Sequence, residues 1–400
     1  MIKSKEINIC VVGLGYVGLP LAVAFGKQMK INGFDINKKR IKELQKNIDS
    51  NKESYSKDIK KAKINFSSDP KIIQESNFII IAVPTPIDNY KNPNLKPLLE
   101  ASKLVGQNMK KDSIIVYEST VYPGCTENDC KPVLEKYSGL KFGQDFHIGY
   151  SPERINPGDK IHTIDKIIKV VSGDNKKTLN IIAKTYTKIV KVGIYKASSI
   201  QIAEASKIIE NIQRDVNIAL MNELKMIFDK ANINWEDVLK ASGTKWNFLK
   251  FTPGLVGGHC ISVDPYYLTQ KAISLNCDPK MILASRDIND NMAKYEAKRI
   301  LIYIRKNKIK IKKILILGGT FKPNIPDIRN SKIEDLINEL KKHKYRIDIY
   351  EPLIKKSILF NSKNINKKDL KNYNFIIKAV NHRVFKNIKF DYEILKYNKL

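Results

Sequence analysis

A glycine-rich stretch in the second half of the chain, residues 253–268, holds the side chains best suited to covalent chemistry. Its sequence is PGLVGGHCISVDPYYL, in which His259 directly precedes Cys260 and Asp264 follows four residues later. A thiolate is a strong nucleophile, and a neighbouring cation or helix N-terminus favours it over the thiol. We therefore expect Cys260 to be a nucleophile, with Asp264 orienting a water molecule or a lysine. The alternative is a buried cysteine in a tight turn, which is the common setting for an arbitrary cysteine.

The other four cysteines, at positions 10, 125, 130 and 277, lack a comparable setting. Cys10 lies inside an apolar run and is expected to be a small buried residue, which is also the default expectation for the remaining three. The total of five is odd and no CxxC pair occurs. A disulfide framework and a metal-binding cluster are therefore both unexpected.

A second polar pair lies in the segment SKIIENIQR, where Lys207 and Asn211 are four residues apart. On a helix this spacing places both side chains on one face, from which they can reach a single oxygen atom. The alternative is an ordinary solvated helix face, on which such polar pairs are common.

The first forty residues carry a nucleotide-binding pattern. The segment INICVVGLGYVGLPLAVAF contains GxGxxG directly after an apolar run and before an amphipathic stretch. Gly13 would form the tight turn, Gly15 would let the backbone approach a pyrophosphate, and Gly18 would allow the helix to pack closely on the strand. Tyr16 and Val17 complete the loop, and the N-terminus of the following helix would bind the phosphates.

The next apolar run, INGFD, ends in Asp35, seventeen residues after Gly18. A carboxylate at this place accepts hydrogen bonds from ribose hydroxyls and repels a 2′-phosphate, which favours NAD over NADP. Arg40 lies close enough in sequence to weaken this preference. A glycine-rich turn that binds nothing is the alternative, but it explains neither the spacing nor the acidic residue.

Short apolar runs that alternate with amphipathic stretches position these residues. In the first half the runs read as buried parallel strands at residues 7–12, 77–83, 112–120 and 167–173. Their alternation with helices predicts an α/β doubly wound sheet.

From about Ser198 to Ala231 apolar residues recur at three- and four-residue steps without Gly or Pro, which predicts one long helix. We expect this helix to connect two domains and to form a dimer surface. A second strand, Gly turn and helix pattern begins near Lys312, with strands at 312–319, 345–352 and 374–380 and a helix around 331–343. The fold class is therefore predicted to be α/β, with two Rossmann-like doubly wound domains joined by a central domain that contains the long helix.

Composition narrows the classes of function. The chain has 400 residues, a net charge of +30 and 42% hydrophobic residues, so two or three domains are expected. No apolar run reaches the length of a membrane span, and the N-terminus does not resemble a signal peptide, so we expect a cytoplasmic protein without a membrane partner. The lysines are spread along the chain, and nucleic acid is not an expected partner. A phosphate-bearing substrate suits the charge.

Seven ordered motifs resemble those of the UDP-glucose/GDP-mannose dehydrogenase family over nearly all of the chain. The similarity is greatest to the branch that acts on UDP-N-acetylhexosamines. The motifs are GLGYVGLPLA, VPTP (83–86), ESTVYPG (118–124), SPERINPG (151–158), KIIENIQR (207–214), FTPGLVGGHCISVDPYYL (251–268) and TFKPNIPDIRNSK (320–332).

This resemblance implies three domains that close around an active site. They are an NAD-binding Rossmann domain over residues 1–196, a helical dimerisation domain over 197–300 and a UDP-sugar-binding domain over 301–400. It also implies a homodimer and a reaction in which the C6 alcohol of the sugar is oxidised twice by NAD to a carboxylate. Cys260 would hold the intermediate, first as a thiohemiacetal and then as a thioester. The product would serve surface polysaccharide biosynthesis.

The resemblance also implies roles for individual side chains. Lys207 and Asn211 would stabilise the alkoxide and oxyanion, and Asp264 would assist proton transfer. The residues expected near the sugar and cofactor are more numerous. Thr85 and Thr120 would line the cofactor, with Thr120 also near the reacting water. Glu153, Arg154, His259 and Lys322 would contact the substrate, and Glu153 would also polarise water. Arg329 would contact the cofactor or the neighbouring subunit's site.

Three positions depart from the family pattern. Pro157 stands where the glucose branch usually carries a second carboxylate, which argues against UDP-glucose. Ser262 replaces a common glycine and Pro323 a common glutamate, and both would shift loop geometry.

Three alternatives stay open from sequence. They are a UDP-glucose 6-dehydrogenase, a two-electron β-hydroxyacid-type dehydrogenase that uses Lys207 and Asn211 alone, and a non-catalytic NAD-binding regulator that contacts nucleic acid. The two-electron enzyme leaves the GGHC segment unexplained. Sequence does not distinguish the hexosamine epimers, because they differ by single stereocentres.

Overall fold

The computed structural model describes residues 7–51, 54, 56–88, 90–154, 163–311 and 313–395. The chain divides into two compact units. The first comprises Met1–Glu210 with Tyr266–Leu275, and the second comprises Asn211–Pro265 with Asn276–Leu400.

An eight-stranded sheet organises the first unit. Its strands are β1 (Ile9–Val12), β2 (Ile31–Phe34), β3 (Ile64–Ser67), β4 (Phe78–Ile81), β5 (Ser113–Tyr117), β6 (Phe146–Tyr150), β7 (Lys169–Gly173) and β8 (Ile194–Lys196). They are ordered β3-β2-β1-β4-β5-β6-β7-β8, and all neighbours pair in parallel except β6 and β7. The order reverses between β1 and β4, which is the edge where open α/β sheets bind their ligands.

Helices cover both faces of this sheet. They are α1 (Gly18–Gly26), α2 (Lys38–Gln45), α3 (Ser56–Lys61), α4 (Lys96–Asn108), α5 (Lys131–Ser138) and α6 (Lys176–Tyr186). Along β1, Ile9 and Val11 belong to one apolar cluster, whereas Cys10 and Val12 belong to the cluster on the opposite face. Burial on both faces explains why the strands are apolar without alternation.

The expectation that residues 167–173 form a parallel strand is half wrong. Strand β7 runs parallel to β8, but it pairs antiparallel with β6 through Gly149↔Gly173 and Tyr150↔Ser172. Val170 and Val171 are buried on opposite faces of the sheet. An apolar run predicts this burial and nothing further. Hydrophobic pattern contains no information on strand direction, so the reversal was invisible in the sequence.

A four-stranded parallel sheet organises the second unit. Its strands are β9 (Lys313–Leu317), β10 (Arg346–Tyr350), β13 (Ile376–Lys378) and β14 (Tyr392–Glu393), in the order β10-β9-β13-β14, and β11 (Ile358–Leu359) with β12 (Ser362–Lys363) forms a separate hairpin. Alternate residues of β9 again enter different apolar clusters. Both units therefore have the α/β architecture that the sequence predicted.

Within the described residues, five further helices, two of them long, are the other part of the architecture. They are α7 (Ile200–Ala231), α8 (Trp235–Ser242), α9 (Asp264–Ser274), α10 (Lys280–Lys306) and α11 (Lys332–Lys342). The prediction of one uninterrupted helix near residues 198–231 is confirmed by α7, whose residues from Asn211 onward belong to the second unit. None of the helices in the described ranges is both long and apolar enough to cross a membrane.

Candidate active site

The predicted site residues are divided between the two units. The first unit contains the glycine loop, Asp35, Arg40, Thr85, Thr120, Glu153, Arg154 and Lys207. The second contains Asn211, His259, Cys260, Asp264, Lys322 and Arg329. Pro157, which bears on the choice of sugar, lies outside the described residues.

The glycine loop has the shape that a dinucleotide requires. Gly13 has a left-handed φ of 91°, and a Cβ on it would lie 2.7 Å from the Ala82 carbonyl oxygen. A Cβ on Gly18 would lie 1.8 Å from the Gly13 carbonyl oxygen, so the first turn of α1 packs on the loop only because Gly18 has no side chain. A Cβ on Gly15 meets nothing within 4 Å. The space over Gly15, at a helix N-terminus, fits a pyrophosphate. Tyr16 and Val17 lie half-buried between these glycines.

Asp35 joins the end of β2 to this loop. One carboxylate oxygen accepts the Leu14 N–H at 2.8 Å, and the other accepts the Asn37 N–H at the same distance. Each oxygen has a second lone pair for a ribose hydroxyl. The carboxylate is therefore fixed at the place where a dinucleotide-binding acid is needed.

Arg40 is buried behind the loop. Its Nε donates to the Leu14 carbonyl oxygen at 3.0 Å, and its guanidinium forms an ion pair with Asp49 at 2.7 Å. The side chain is 7% exposed. The contacts thus tie Arg40 to the back of the turn, and they suit a role in supporting the loop.

The carboxyl ends of β4 and β5 are joined beside the loop by side chains that the sequence did not single out. Ser119 donates to the Val83 carbonyl oxygen at 2.6 Å, and Tyr267 donates to the Pro86 carbonyl oxygen at 3.2 Å. These two bonds hold the segment that carries Thr85. Thr120 follows Ser119 directly, and both threonines are half-buried.

A buried charged cluster lies behind the segment with Glu153. Lys169, on β7, donates to Glu118 at 2.8 Å and to the Pro152 carbonyl oxygen at 3.1 Å. Tyr186 donates to the other Glu118 oxygen. Burial raises the pKa of the Glu118 carboxyl against the lowering effect of Lys169. The cluster fixes the backbone directly before Glu153, which is 7% exposed.

Arg154 and Glu204 anchor two further segments of the first unit. The exposed Arg154 forms a 2.8 Å ion pair with Glu210, near the end of the part of α7 in this unit. Glu204 is fully buried and accepts the backbone N–H groups of Gly124, at 2.5 Å, and Thr126, at 2.9 Å. Burial raises the pKa of Glu204 to about 7. Glu204 thereby orders the end of the ESTVYPG segment.

The polar pair on α7 is buried rather than solvated. Lys207 is 8% exposed and Asn211, one turn later, is 1% exposed. The Asn211 amide donates to Asp264 and accepts from Arg214. Asp264 is 2% exposed and begins α9. These contacts fix which way the Asn211 amide faces, and they overturn the alternative of an ordinary surface pair.

Cys260 lies in the turn that leads into α9. Its carbonyl oxygen accepts the N–H groups of Val263 and Asp264, at 3.0 and 2.8 Å. Ser262 donates to the Gly258 carbonyl oxygen at 2.5 Å, so the departure from the family's glycine adds a bond across the turn. Cys260 itself is half-buried. The turn therefore places Cys260 directly before a helix N-terminus, a setting in which a thiolate is favoured.

Asn222 holds the chain before this turn. Its amide donates to the Gly254 carbonyl oxygen at 3.0 Å and accepts the Gly254 N–H at 2.9 Å. It also donates to Asn289 at 2.8 Å, and Asn289 donates to Asp215 at 2.7 Å. These buried amides connect the loop to α7 and α10, which are rigid elements.

His259 lies between the thiol and an acidic residue. Its Nδ1 is 3.3 Å from Cys260 Sγ, and its Nε2 is 3.8 Å from an Asp327 carboxylate oxygen. Arg329, which is exposed, binds Asp327 with its Nε 3.0 Å from both oxygens. Lys322 is half-buried, and its carbonyl oxygen accepts the Thr320 hydroxyl at 2.9 Å.

The expectations for the other cysteines have mixed outcomes. Cys10, Cys125 and Cys130 are buried as expected, but Cys277 is exposed, so the default expectation was wrong there. The residues beside Cys277 explain why it is not buried, because Asn276 and Asp278 are polar and exposed. All five cysteines are free thiols.

Three family models match the chain. They are the NAD binding domain, the central domain and the UDP binding domain of the UDP-glucose/GDP-mannose dehydrogenase family, at residues 7–190, 201–291 and 315–398. Together they cover far more than half of the sequence.

Individual relatives are similar over nearly the whole chain. Protein CapL of Staphylococcus aureus is 53% identical over 96% of this chain and 92% of its own. A UDP-N-acetyl-D-glucosamine 6-dehydrogenase of Salmonella typhi is 49% identical over 97% of this chain and 93% of its own. The solved structure of a UDP-D-ManNAc dehydrogenase from Pyrococcus horikoshii matches with a TM-score of 0.86 and 29% identity, over 96% of this chain and 91% of that one. The chain therefore belongs to the UDP-glucose/GDP-mannose dehydrogenase family.

Proposed function

We propose that this protein oxidises the C6 alcohol of a UDP-N-acetylhexosamine to a carboxylate, consuming two NAD and one water. The observation that carries the proposal is the placement of Cys260 in the turn before α9, on a chain that matches the NAD binding, central and UDP binding models of one family. The choice of sugar is supported by the Salmonella typhi relative, whose name gives this activity.

The cofactor would be held by the first unit. Gly13, Gly15 and Gly18 leave the space for a pyrophosphate, and Asp35 has free lone pairs for ribose hydroxyls. Tyr16, Val17, Thr85 and Thr120 would line the same edge of the sheet. NAD supplies the acceptor for the two hydrides that leave C6.

Cys260 would keep the half-oxidised sugar bound. After the alcohol has become an aldehyde, the thiolate forms a C–S bond to its carbon and the carbonyl electron pair moves to oxygen, giving a thiohemiacetal. Loss of the second hydride from C6 and of the hydroxyl proton to Asp264 would leave a thioester. Water would then attack the carbonyl and the C–S bond would break, restoring the thiolate, while the two protons released with the carboxylate would pass through Asp264 to solvent. The covalent bond divides a four-electron oxidation into steps of two electrons.

The neighbouring polar groups would control charge and protons. Lys207 and the fixed Asn211 amide would stabilise negative charge on the sugar oxygen. Asp264, bound to Asn211, would take or return a proton. Glu153 and Thr120 would position the attacking water.

Substrate binding would use more distant side chains. We assign Arg154, His259 and Lys322 to the UDP-sugar, and Arg329 to the cofactor or to the site of a second subunit. Glu153 would also contact the sugar. The UDP binding model covers Lys322 and Arg329.

The test counts electrons. The enzyme is incubated with excess NAD and a limiting amount of UDP-GlcNAc, UDP-GalNAc, UDP-ManNAc or UDP-glucose, and NADH is measured per sugar consumed. We expect two NADH with an N-acetylhexosamine and little turnover with UDP-glucose. Cys260→Ala should abolish the four-electron reaction, whereas Cys277→Ala, at the exposed cysteine, serves as the matched control. One NADH per sugar, or full activity of Cys260→Ala, refutes the proposal.

We further propose a homodimer, a cytoplasmic location and a role in surface polysaccharide biosynthesis, on the strength of the family resemblance. The three-domain division at residues 1–196, 197–300 and 301–400 is part of the same proposal. Its support is the family models, which begin and end near these positions.

A further inference from the structure

The geometry around the thiol points to a proton acceptor for Cys260 within the second unit. We propose that His259 takes the thiol proton and that Asp327 positions and stabilises the resulting imidazolium. The inference deepens the proposed function, because it names the group that generates the nucleophile. Its physical basis is a row of three functional groups, with Sγ 3.3 Å from Nδ1 and Nε2 3.8 Å from the carboxylate.

One ring contact and two features of the preceding Gly258 backbone hold the imidazole in this row. The His259 ring meets Phe321 edge to face, with ring centroids 6.0 Å apart. Gly258 has a φ of 87°, and a Cβ there would lie 2.8 Å from the Phe321 ring, so the turn can approach this ring only as glycine. Asn330 donates to the Gly258 carbonyl oxygen at 2.9 Å. A proton acceptor must be held within reach of its donor, and these contacts do so.

Asp327 is held in the charged form that the pair requires. Burial opposes ionisation, but the hydrogen bonds from Arg329 and the nearby His259 outweigh it, so the pKa of Asp327 lies below its usual range. The side chain is 16% exposed, which protects its charge from full solvent screening. Arg329 competes with His259 for this charge and so limits how strongly the imidazole is polarised.

The path of the proton follows from the orientation of the imidazole, whose Nδ1 faces Cys260 and whose Nε2 faces Asp327. Neutral His259 would carry its proton on Nε2, towards Asp327, and leave Nδ1 as acceptor. The S–H proton then moves to Nδ1, giving a thiolate and an imidazolium whose two N–H groups face Sγ and the carboxylate. When the thiolate attacks the aldehyde, the new alkoxide can take the proton back from Nδ1. Cys260 faces His259 on one side, and Asp327, with Arg329 bound to it, faces His259 on the other.

Alkylation of the substrate-free enzyme tests this arrangement. The rate of iodoacetamide reaction at Cys260 is measured from pH 5 to 10 in a Cys277→Ser background, with the modified peptide identified by mass spectrometry. We expect His259→Gln to move the midpoint upward by about one pH unit, which is about a ten-fold slower reaction at pH 7. Asp327→Asn keeps size but loses charge, and should move the midpoint in the same direction by less.

His343→Gln is the matched control, since His343 is an exposed residue at the end of α11. Its midpoint should equal that of the parent. An unchanged midpoint in Asp327→Asn and His259→Gln overturns the proposal, even if both lose activity, because His259 would then act only on substrate. If His259→Gln does not reach the parent's melting temperature, Asp327→Asn alone decides in the same way. Because the alkylation is measured without substrate, its result does not depend on whether the enzyme carries out the proposed oxidation.

Discussion

The strongest consequence for stability concerns Lys169, whose charge is buried behind the segment with Glu153. Replacing it in Lys169→Met removes the 2.8 Å contact to Glu118 and the 3.1 Å bond to the Pro152 carbonyl oxygen. The Lys169 and Glu118 side chains are only 4% and 0% exposed, so water cannot replace the lost partner. Breaking a buried ion pair from one side costs about 3–5 kcal/mol. We expect a loss of this size at pH 8.

The loss should shrink in acid. Burial already raises the pKa of Glu118, and without Lys169 nothing of comparable strength opposes it. A carboxyl whose folded pKa lies above its unfolded value stabilises the fold in its protonated form, and this contribution is lost as the pH rises through the folded pKa. Each pH unit in that range changes the free energy of unfolding by at most about 1.4 kcal/mol. Between pH 5 and 8 most of the deficit can therefore disappear.

Urea unfolding at pH 5 and pH 8 measures both quantities. Lys111→Met is the matched control, because it breaks a 2.9 Å ion pair to Asp145 in which the lysine is 67% exposed, and it should cost far less stability than Lys169→Met. Adding Glu118→Gln to Lys169→Met should recover much of the stability, since the unpaired Glu118 charge is then removed as well. A deficit below about 1 kcal/mol at pH 8, or one of equal size at both pH values, refutes the reasoning.

Three further outcomes follow from single contacts. Gly15→Ala should keep the wild-type melting temperature but raise the KM for NAD at least about ten-fold, because its Cβ meets no protein atom but fills the space for the pyrophosphate. Gly18→Ala should lower the melting temperature through a loss of about 1–3 kcal/mol, because its Cβ collides with the loop. Equal melting temperatures of the two variants contradict this. Asp35→Asn should improve the use of NADP relative to NAD by about ten-fold in kcat/KM, and an unchanged ratio would count against the assigned role. Burial raises the pKa of Glu204 to about 7, so its protonated carboxyl stabilises the fold at low pH and this effect is lost as the pH rises. In urea unfolding, the stability of Glu204→Gln should therefore gain up to about 3 kcal/mol relative to wild type between pH 5 and 8. A constant difference in unfolding free energy between the two proteins over this pH range would refute the prediction.

Local features of the nucleotide-binding unit could be predicted because their parts are close in sequence. The turn, helix and acid that follow β1 lie within residues 9–35, and each has a residue type that its geometry requires. Strands β1, β4, β5 and β9 occur within the predicted apolar runs. Fold class and chemistry were therefore accessible from local pattern and from ordered motifs.

Long-range partners could not be predicted in the same way. Nothing local indicates that Asp327 meets His259 or that Asn222 binds both polar groups of Gly254. Glu118 and Lys169 carry a weak signal, since each is a charged residue within or beside an apolar strand. A charge at such a place needs a buried partner, but the sequence does not say which one.

The distance along the chain between the thiol turn and its supporting loop has a consequence for protein synthesis. Asn330, which holds the Gly258 carbonyl oxygen, lies 72 positions further along. Until the ribosome has released that segment, Cys260 has neither Asp327 nor Phe321 near its histidine. Domains fold as units and long-range contacts form late. If His259 takes the thiol proton as proposed, the nascent thiol therefore lacks the support of Asp327 and Phe321 until the last quarter of the chain has folded.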